Sequence, residues 1–243
     1  MQAWGLTDPG CVRVQNQDAY GVHTFEEDSL LCTVCDGMGG AKSGNVASSL
    51  ALQIFMQEVT RLRKPGMSQE QAGQLFSEAV RLANFTGYDQ SRQVEAVEGM
   101  GTTIVAAYVD HQMAVIANVG DSRCYLLNRE GVRCLTTDHS LVQLMVQRGE
   151  LSREQAKNYP GKNLITRAIG TEPGVECDLF YQPVQKGDYL LLCTDGLSNL
   201  LDDQEILFEV VHGVNKQLCC QRLLGICQER GAPDNVTSVL IVI

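Results

Sequence analysis

Four aspartates close apolar, strand-like runs, each beside a residue that permits a tight turn: Asp36 in VCDGMGG, Asp121 in ANVGDSR, Asp195 in LLCTDG and Asp234 in GAPDNVTS. A fifth, Asp18 in NQDAYGV, opens such a run. A single Asp-Gly pair is ordinary turn chemistry. Five aspartates flanking core strands are different, because strands lie side by side and their ends can converge on one rim. Converging carboxylates repel each other and require protons or a cation between them. All-oxygen donors suit the hard divalent ions Mg²⁺ and Mn²⁺. Four carboxylates are too many for one magnesium that keeps most of its waters. They suit two ions roughly 3.5–4 Å apart, the arrangement that activates water on phosphate esters. Glycines 37, 39 and 40 follow Asp36; without side chains there, a backbone carbonyl can join the ligands and a bulky substrate can approach. Arg13, five residues before Asp18 in GCVRVQNQD, offers a guanidinium fork that matches phosphate oxygens.

Other residues invite blander readings. His139 in TTDHSLV is a candidate ligand, but its position reads as a helix start capped by Asp138 or Ser140. Asp8 and Asp188 read as turn residues, and Trp4 as core. Ten cysteines would suit a thiol-based redox protein. Yet Cys32, Cys35 and Cys193 fall in apolar strand-like runs and Cys219, Cys220 and Cys227 in a helical pattern, where free cysteine acts as a small hydrophobe. The CxxC pair Cys32/Cys35 lies in a strand-like run, not at the helix start that a redox pair favours.

The net charge of −10 repels a phosphate backbone and argues against nucleic acid as a partner. No run approaches a membrane span. The start MQAWGLTDPGCVRV has no basic and apolar signal pattern, which gives a cytoplasmic, non-membrane expectation.

These residues need strands to carry them. Strand-like runs at 3–7, 19–25 and 30–35 precede two amphipathic helices at 44–63 and 69–86, the second with Ser68 and Gln71 as a capping box. Strands return at 102–110, 112–120 and 122–131, followed by a polar, helical stretch at 140–163. A strand at 188–194, helices at 203–212 and 215–229, and a final strand at 235–243 complete the chain. Strands in blocks and helices in pairs argue for α+β rather than alternating βαβ. Two sheets face to face, covered by helix pairs, would bury every apolar face.

In this order the pieces VRVQNQDA, VCDGMGG, GTTIVAA, ANVGDSRCYL, TTDHSLV, NLITRAIG, LLCTDGLSN and APDNVTSVLI resemble the metal-dependent protein phosphatase 2C family of serine/threonine phosphatases, in its short bacterial form. The resemblance spans essentially the whole chain and implies a single catalytic domain over 1–243. The implied fold is a four-layer α-β-β-α sandwich, two central antiparallel sheets flanked by helix pairs. By the same resemblance, Asp36 and the Gly37 carbonyl flank two Mn²⁺ or Mg²⁺ ions, and Asp18 holds them through waters. Asp195 and Asp234 serve one ion directly. Asp121 holds a third, weaker ion and shares Asp195 with it. Arg13 binds the substrate phosphate, and residues from about Val146 to Arg167 form a flap that selects substrates. The family mechanism is direct attack of a metal-bridging hydroxide on phosphorus, with no phosphoenzyme and no role for cysteine. Phosphorylated proteins are the implied substrates, a serine/threonine kinase the implied counterpart, and a monomer the expected state.

The chain departs from the family at three places. Met38 stands where animal members often carry a histidine thought to protonate the leaving group. Gln17 replaces a frequent glutamate, and Tyr159-Pro160 a frequent His-Pro. A catalytically weak, phosphoprotein-binding relative is the alternative; retention of Asp36, Asp195 and Asp234 weighs against it.

Overall fold

The computed structural model describes residues 1–25, 29–39, 43–157, 159–161 and 163–243. Eleven strands and seven α-helices follow in this order: β1 (Gln2–Asp8), β2 (Asp18–Thr24), β3 (Leu30–Met38), α1 (Gly44–Leu62), α2 (Gln69–Gln93), β4 (Gly101–Thr102), β5 (Ile104–Asp110), β6 (Met113–Val119), β7 (Arg123–Asn128), β8 (Gly131–Cys134), α3 (Leu141–Gln147), α4 (Arg153–Lys157), β9 (Asp178–Pro183), β10 (Tyr189–Cys193), α5 (Asp195–Ser198), α6 (Asp203–His212), α7 (Cys219–Glu229) and β11 (Val236–Val242). One sheet has the order β1-β11-β10-β7-β8. The other has β2-β3-β5-β6-β9, with β4 paired to β3. All pairings are antiparallel.

The period of two along β3 explains the layers. Leu31 and Cys35 face α1 and α2, where they join Phe55, Phe76 and Ile104. Leu30, Cys32 and Val34 face the other way and meet Leu190, Leu192, Val239 and Ile241 of the second sheet. That second sheet is covered on its far side by Ile206 and Val210 of α6 and Leu223 of α7. Strands buried on both faces must be apolar throughout, hence unbroken runs such as LLCTVC and YLLLC. The four-layer α-β-β-α sandwich is the expected fold. Ser68 and Gln71 form the expected capping box.

Several local expectations need correction. The strand carrying Asp36 does not stop there; β3 continues to Met38 because Gly37 and Met38 pair with β4. Helix α2 runs on to Gln93 rather than ending at 86. The expected strand 122–131 is a hairpin, since Asn128 pairs with Gly131 across a tight turn. The expected helix over 215–229 starts as a 3₁₀ turn, Lys216–Leu218, before α7. Strand β9 was not anticipated. It lies at a sheet edge, and its side chains are only partly buried, so it lacks a continuous apolar run. Trp4 is half-buried on edge strand β1 rather than core. Asp8 and Asp188 are turn residues as expected, accepting the amides of Gly10 and Gln185 at 2.8 and 3.0 Å.

All ten cysteines are free, and seven are buried. Cys32 and Cys35 belong to opposite faces of β3, so their CxxC spacing brings no thiols together. Burial pushes Cys219 and Cys177 up to about 12. Packing accounts for the seven buried cysteines; Cys11 and Cys134 are exposed and Cys177 is half-buried.

Candidate active site

The register of β2 against β3 sets Asp18 directly opposite Asp36. Asp36 continues the row Leu30, Cys32, Val34, so its side chain shares the face turned toward the second sheet. From that sheet come Asp195, just after β10, and Asp234, just before β11. The site therefore lies at one rim of the seam between the sheets. Asp121 reaches it from the turn between β6 and β7.

Threonines fix the seam. Asp18 Oδ2 accepts hydrogen bonds from Thr237 Oγ1 at 2.7 Å and Thr194 Oγ1 at 3.0 Å, both across the seam. The backbone of Asp36 is held on both sides: its N–H donates to Thr103 Oγ1 at 2.9 Å, and its carbonyl accepts from Thr102 Oγ1 at 2.8 Å. Thr103 Oγ1 also lies 2.8 Å from Ser122 Oγ, beside Asp121. Asp195 opens the short helix α5 and accepts from Asn199 Nδ2 at 3.0 Å. Gly196 must lack a side chain, since a Cβ there would lie 1.9 Å from the Asn235 carbonyl.

Arg13 Nη2 donates to Asp234 Oδ2 at 2.9 Å. Its loop is pinned by Asn235, whose Nδ2 donates to the carbonyls of Pro9 and Gln15, each at 3.0 Å. Asn235 Oδ1 accepts the Gln17 amide at 2.8 Å. Thr103, Thr194, Asn235 and Thr237 were missed as site residues: Thr194, Asn235 and Thr237 lie inside CTDG and PDNVTS, where only the aspartates stand out, and Thr103 lies in GTTI, which carries no aspartate at all. Asn235→Ala is expected to strand buried backbone groups at a cost of about 1–3 kcal/mol. It should also raise KM for a phosphopeptide about tenfold by loosening the Arg13 loop. A thermal melt and steady-state kinetics check both; an unchanged KM would separate the loop from phosphate binding.

The carboxylates are in electrostatic conflict. Burial, then the charges of Asp18, Asp195, Asp121 and Asp234, push Asp36 well above the usual carboxylate range. Burial pushes Asp18 up to about 7, against the hydrogen bonds of Thr237 and Thr194. Burial and the Asp195 charge push Asp121 up to about 7. Burial and Asp234 also raise Asp195. Among the described residues, Asp18 Oδ1 and Asp121 Oδ1 are buried without a hydrogen-bond partner. Orphaned oxygens beside raised carboxylates fit a cation that bonds to them. Among the described residues, no three His, Cys, Asp or Glu side chains form a ready-made cage.

Residues 13–223 match the profile of the family described as protein phosphatase 2C. This chain belongs to the protein phosphatase 2C family. It is 37% identical to the serine/threonine phosphatase stp of Listeria monocytogenes, over 99% of this chain and 95% of that one. Identity to the protein phosphatase PhpP of Streptococcus pneumoniae is 34%, over 97% and 95% of the two chains. The crystal structure of serine/threonine phosphatase Stp1 from Staphylococcus aureus superposes with a TM-score of 0.93 at 35% identity, covering 100% of this chain and 94% of that one. Metal dependence is general in the protein phosphatase 2C family.

Against the family pattern, Gly37 has a reason of its own. A Cβ there would lie 2.1 Å from the Gly44 carbonyl and 2.4 Å from that of Gln17, so close packing already demands glycine. The Gln17 side chain rests against Gly44 at the start of α1. The stretch 146–167, expected as a flap, contains the end of α3 and all of α4; just before it, the Leu141 amide donates to the Leu164 carbonyl at 2.8 Å and closes its neck. Asn158 and Lys162 of the flap lie outside the described residues. His139 does precede a helix, and Ser140 is the cap: its Oγ accepts the Gln143 amide at 3.3 Å. Asp138 instead pairs with Arg123 at 2.6 Å. Among the described residues, no helix is long and apolar enough to cross a membrane.

Proposed function

We propose that this chain is a single catalytic domain that hydrolyses phosphoserine and phosphothreonine in proteins, using two core Mn²⁺ or Mg²⁺ ions and a third, weaker one. The observation that carries this is the convergence of Asp18, Asp36, Asp195 and Asp234 from both sheets, beside an arginine, in a protein phosphatase 2C chain. Asp36 and the Gly37 carbonyl would hold the core pair, with Asp195 and Asp234 on one of the ions. Asp18, already committed through Oδ2 to two threonines, suits a contact through water. Asp121 would hold the third ion. When bound, such ions acidify a water and neutralise phosphoryl charge.

The chain's own residues do the rest. Arg13 stays cationic, because the hydrogen bond and charge of Asp234 raise its pKa further. Exchanging Asp234 for the phosphoryl oxygens, it would offset charge that grows in the transition state. Asp234 Oδ2, released by Arg13, would then be free to serve a cation, while Oδ1 keeps the Asn235 amide at 2.9 Å. Met38 is a thioether and has no proton to give, so the departing serine or threonine oxygen takes its proton from water or from another residue. The enzyme works in the cytoplasm as a monomer, opposite a serine/threonine kinase whose products it reverses.

The test is turnover of a phosphothreonine peptide with Mn²⁺, with chelator, and in Arg13→Ala. Activity that needs the metal and drops about 10²-fold in kcat/KM in the variant is expected. Saturable peptide binding without turnover by the metal-loaded protein would favour the binding-module alternative.

A further inference from the structure

His139 stands where the Asp121 turn, the flap neck and edge strand β9 meet, and its ring is engaged on both sides. Its Nδ1 accepts the Gly120 amide at 2.9 Å, and its own amide donates to the Gly120 carbonyl at 2.9 Å. One residue thus holds Gly120 from both ends. Gly120 has φ +108°, and a Cβ would lie 2.5 Å from Thr103 Cγ2. The position therefore excludes a side chain, and the two bonds to His139 hold the turn where only glycine fits. The next residue is Asp121, with its orphaned Oδ1.

The tautomer follows from these bonds. Accepting from Gly120 needs a lone pair on Nδ1, so the proton of the neutral ring is on Nε2, 3.2 Å from Asp178 Oδ2. Arg167 Nη1 closes the cluster, 2.6 Å from Asp178 Oδ1 and 3.0 Å from His139 Nε2; with the proton on Nε2 that second approach is a contact between two donors, held together by the Asp178 carboxylate between them. The His139 carbonyl accepts the Thr166 amide at 2.8 Å, and the Leu141 amide donates to Leu164. These two bonds close the neck of the flap.

We propose that His139 is a positioning residue: through Gly120 it fixes Asp121 for a cation, and it ties the binding of that cation to the flap neck. The proposal rests on Asp121 holding the third ion. Groups that orient metal ligands from behind typically matter 10–100-fold in affinity, by order of magnitude.

Asparagine and glutamine separate the two ring nitrogens. Asparagine places its carbonyl near the position of Nδ1 and can still accept from Gly120. Glutamine reaches the position of Nε2 and leaves the Gly120 amide without its acceptor. The full chain is titrated with Mn²⁺ by calorimetry as wild type, Asp121→Asn, His139→Asn and His139→Gln. Hydrogen exchange is followed at the Leu141 and Thr166 amides with and without Mn²⁺. We expect a binding step lost in Asp121→Asn, kept within about threefold in His139→Asn and weakened about 10–100-fold in His139→Gln. Mn²⁺ should slow exchange at both amides in wild type and His139→Asn, but not in His139→Gln. Equal weakening in both His139 variants would reduce the ring to packing and overturn the proposal, as would full affinity in His139→Gln. If His139→Gln does not fold, loss of the step in a folded His139→Asn overturns it alone. Wild type and Asp121→Asn titrating alike would remove the third ion and this inference with it. The phosphatase reading would still stand on metal-dependent turnover.

Discussion

Asp195→Asn should cut kcat on a phosphothreonine peptide by about 10³-fold or more, and yet raise the melting temperature of the metal-free protein. The two effects share one cause. The charge of Asp195 bears on Asp18, Asp36 and Asp121 alike, raising the pKa of each. It is the aspartate common to the whole cluster. Converting it to a neutral amide of the same shape removes repulsion from three buried neighbours and keeps an oxygen for Asn199. Without metal that relief stabilises the fold. With metal, on the proposed role of Asp195 as a direct ligand, it should cost more than the 10–100-fold, in round figures, seen for groups behind the ligands. Kinetics with saturating Mn²⁺ and a melt in chelator test both halves. A variant that is both inactive and less stable would point to a structural Asp195 and contradict the electrostatic account.

The metal-free protein should also be more stable at pH 5 than at pH 8, the reverse of ordinary acid denaturation. Asp18 and Asp121 titrate at about 7 in the folded state, against about 3.9 unfolded. Between those values the folded state holds more protons than the unfolded state. Stability therefore falls as pH rises through this window and levels off above it. His139 opposes the trend: burial lowers its pKa, so acid favours its unfolded, charged form. One histidine acts against at least two aspartates, and Asp36 adds to their side. A net gain of a few kcal/mol corresponds to about 5–10 °C in melting temperature for a chain of this size. Mn²⁺ should abolish the trend and raise the midpoint at pH 8 as its concentration rises, because it binds the deprotonated carboxylates. Scanning calorimetry across pH, with chelator and then with Mn²⁺, reads this directly. A metal-free midpoint at pH 5 no higher than at pH 8 would refute the mutual repulsion on which the cation reading depends.

Much of this was legible in the chain because catalysis here uses residue types that stand out against a strand. An aspartate after VC or LLCT interrupts an apolar run, and five such interruptions can be read without knowing which strands are neighbours. The two-layer core was equally visible, since strands covered on both faces cannot hide polar residues. Supporting contacts were harder to see. Thr194, Thr237 and Asn235 are ordinary strand and turn residues until the register brings them to Asp18 and the Arg13 loop. Gly37 invites a functional explanation from sequence, while its neighbours Gly44 and Gln17 supply a steric one. Strand β9 escaped notice because an edge strand with partly exposed side chains has no continuous apolar signature.

The site's position at the seam has a mechanical consequence. Asp18 and Asp36 ride on one sheet, Asp195 and Asp234 on the other, and the spacing between the two pairs is set by what fills the gap. Cys32, Val34 and Val105 on one side, with Leu190, Leu192 and Ile241 on the other, act as shims. A methyl added or removed among them shifts the carboxylates along with the sheets. Core volume thereby becomes a fine adjustment of the catalytic aperture, and substitutions remote from any reacting atom can retune it without touching a charged residue.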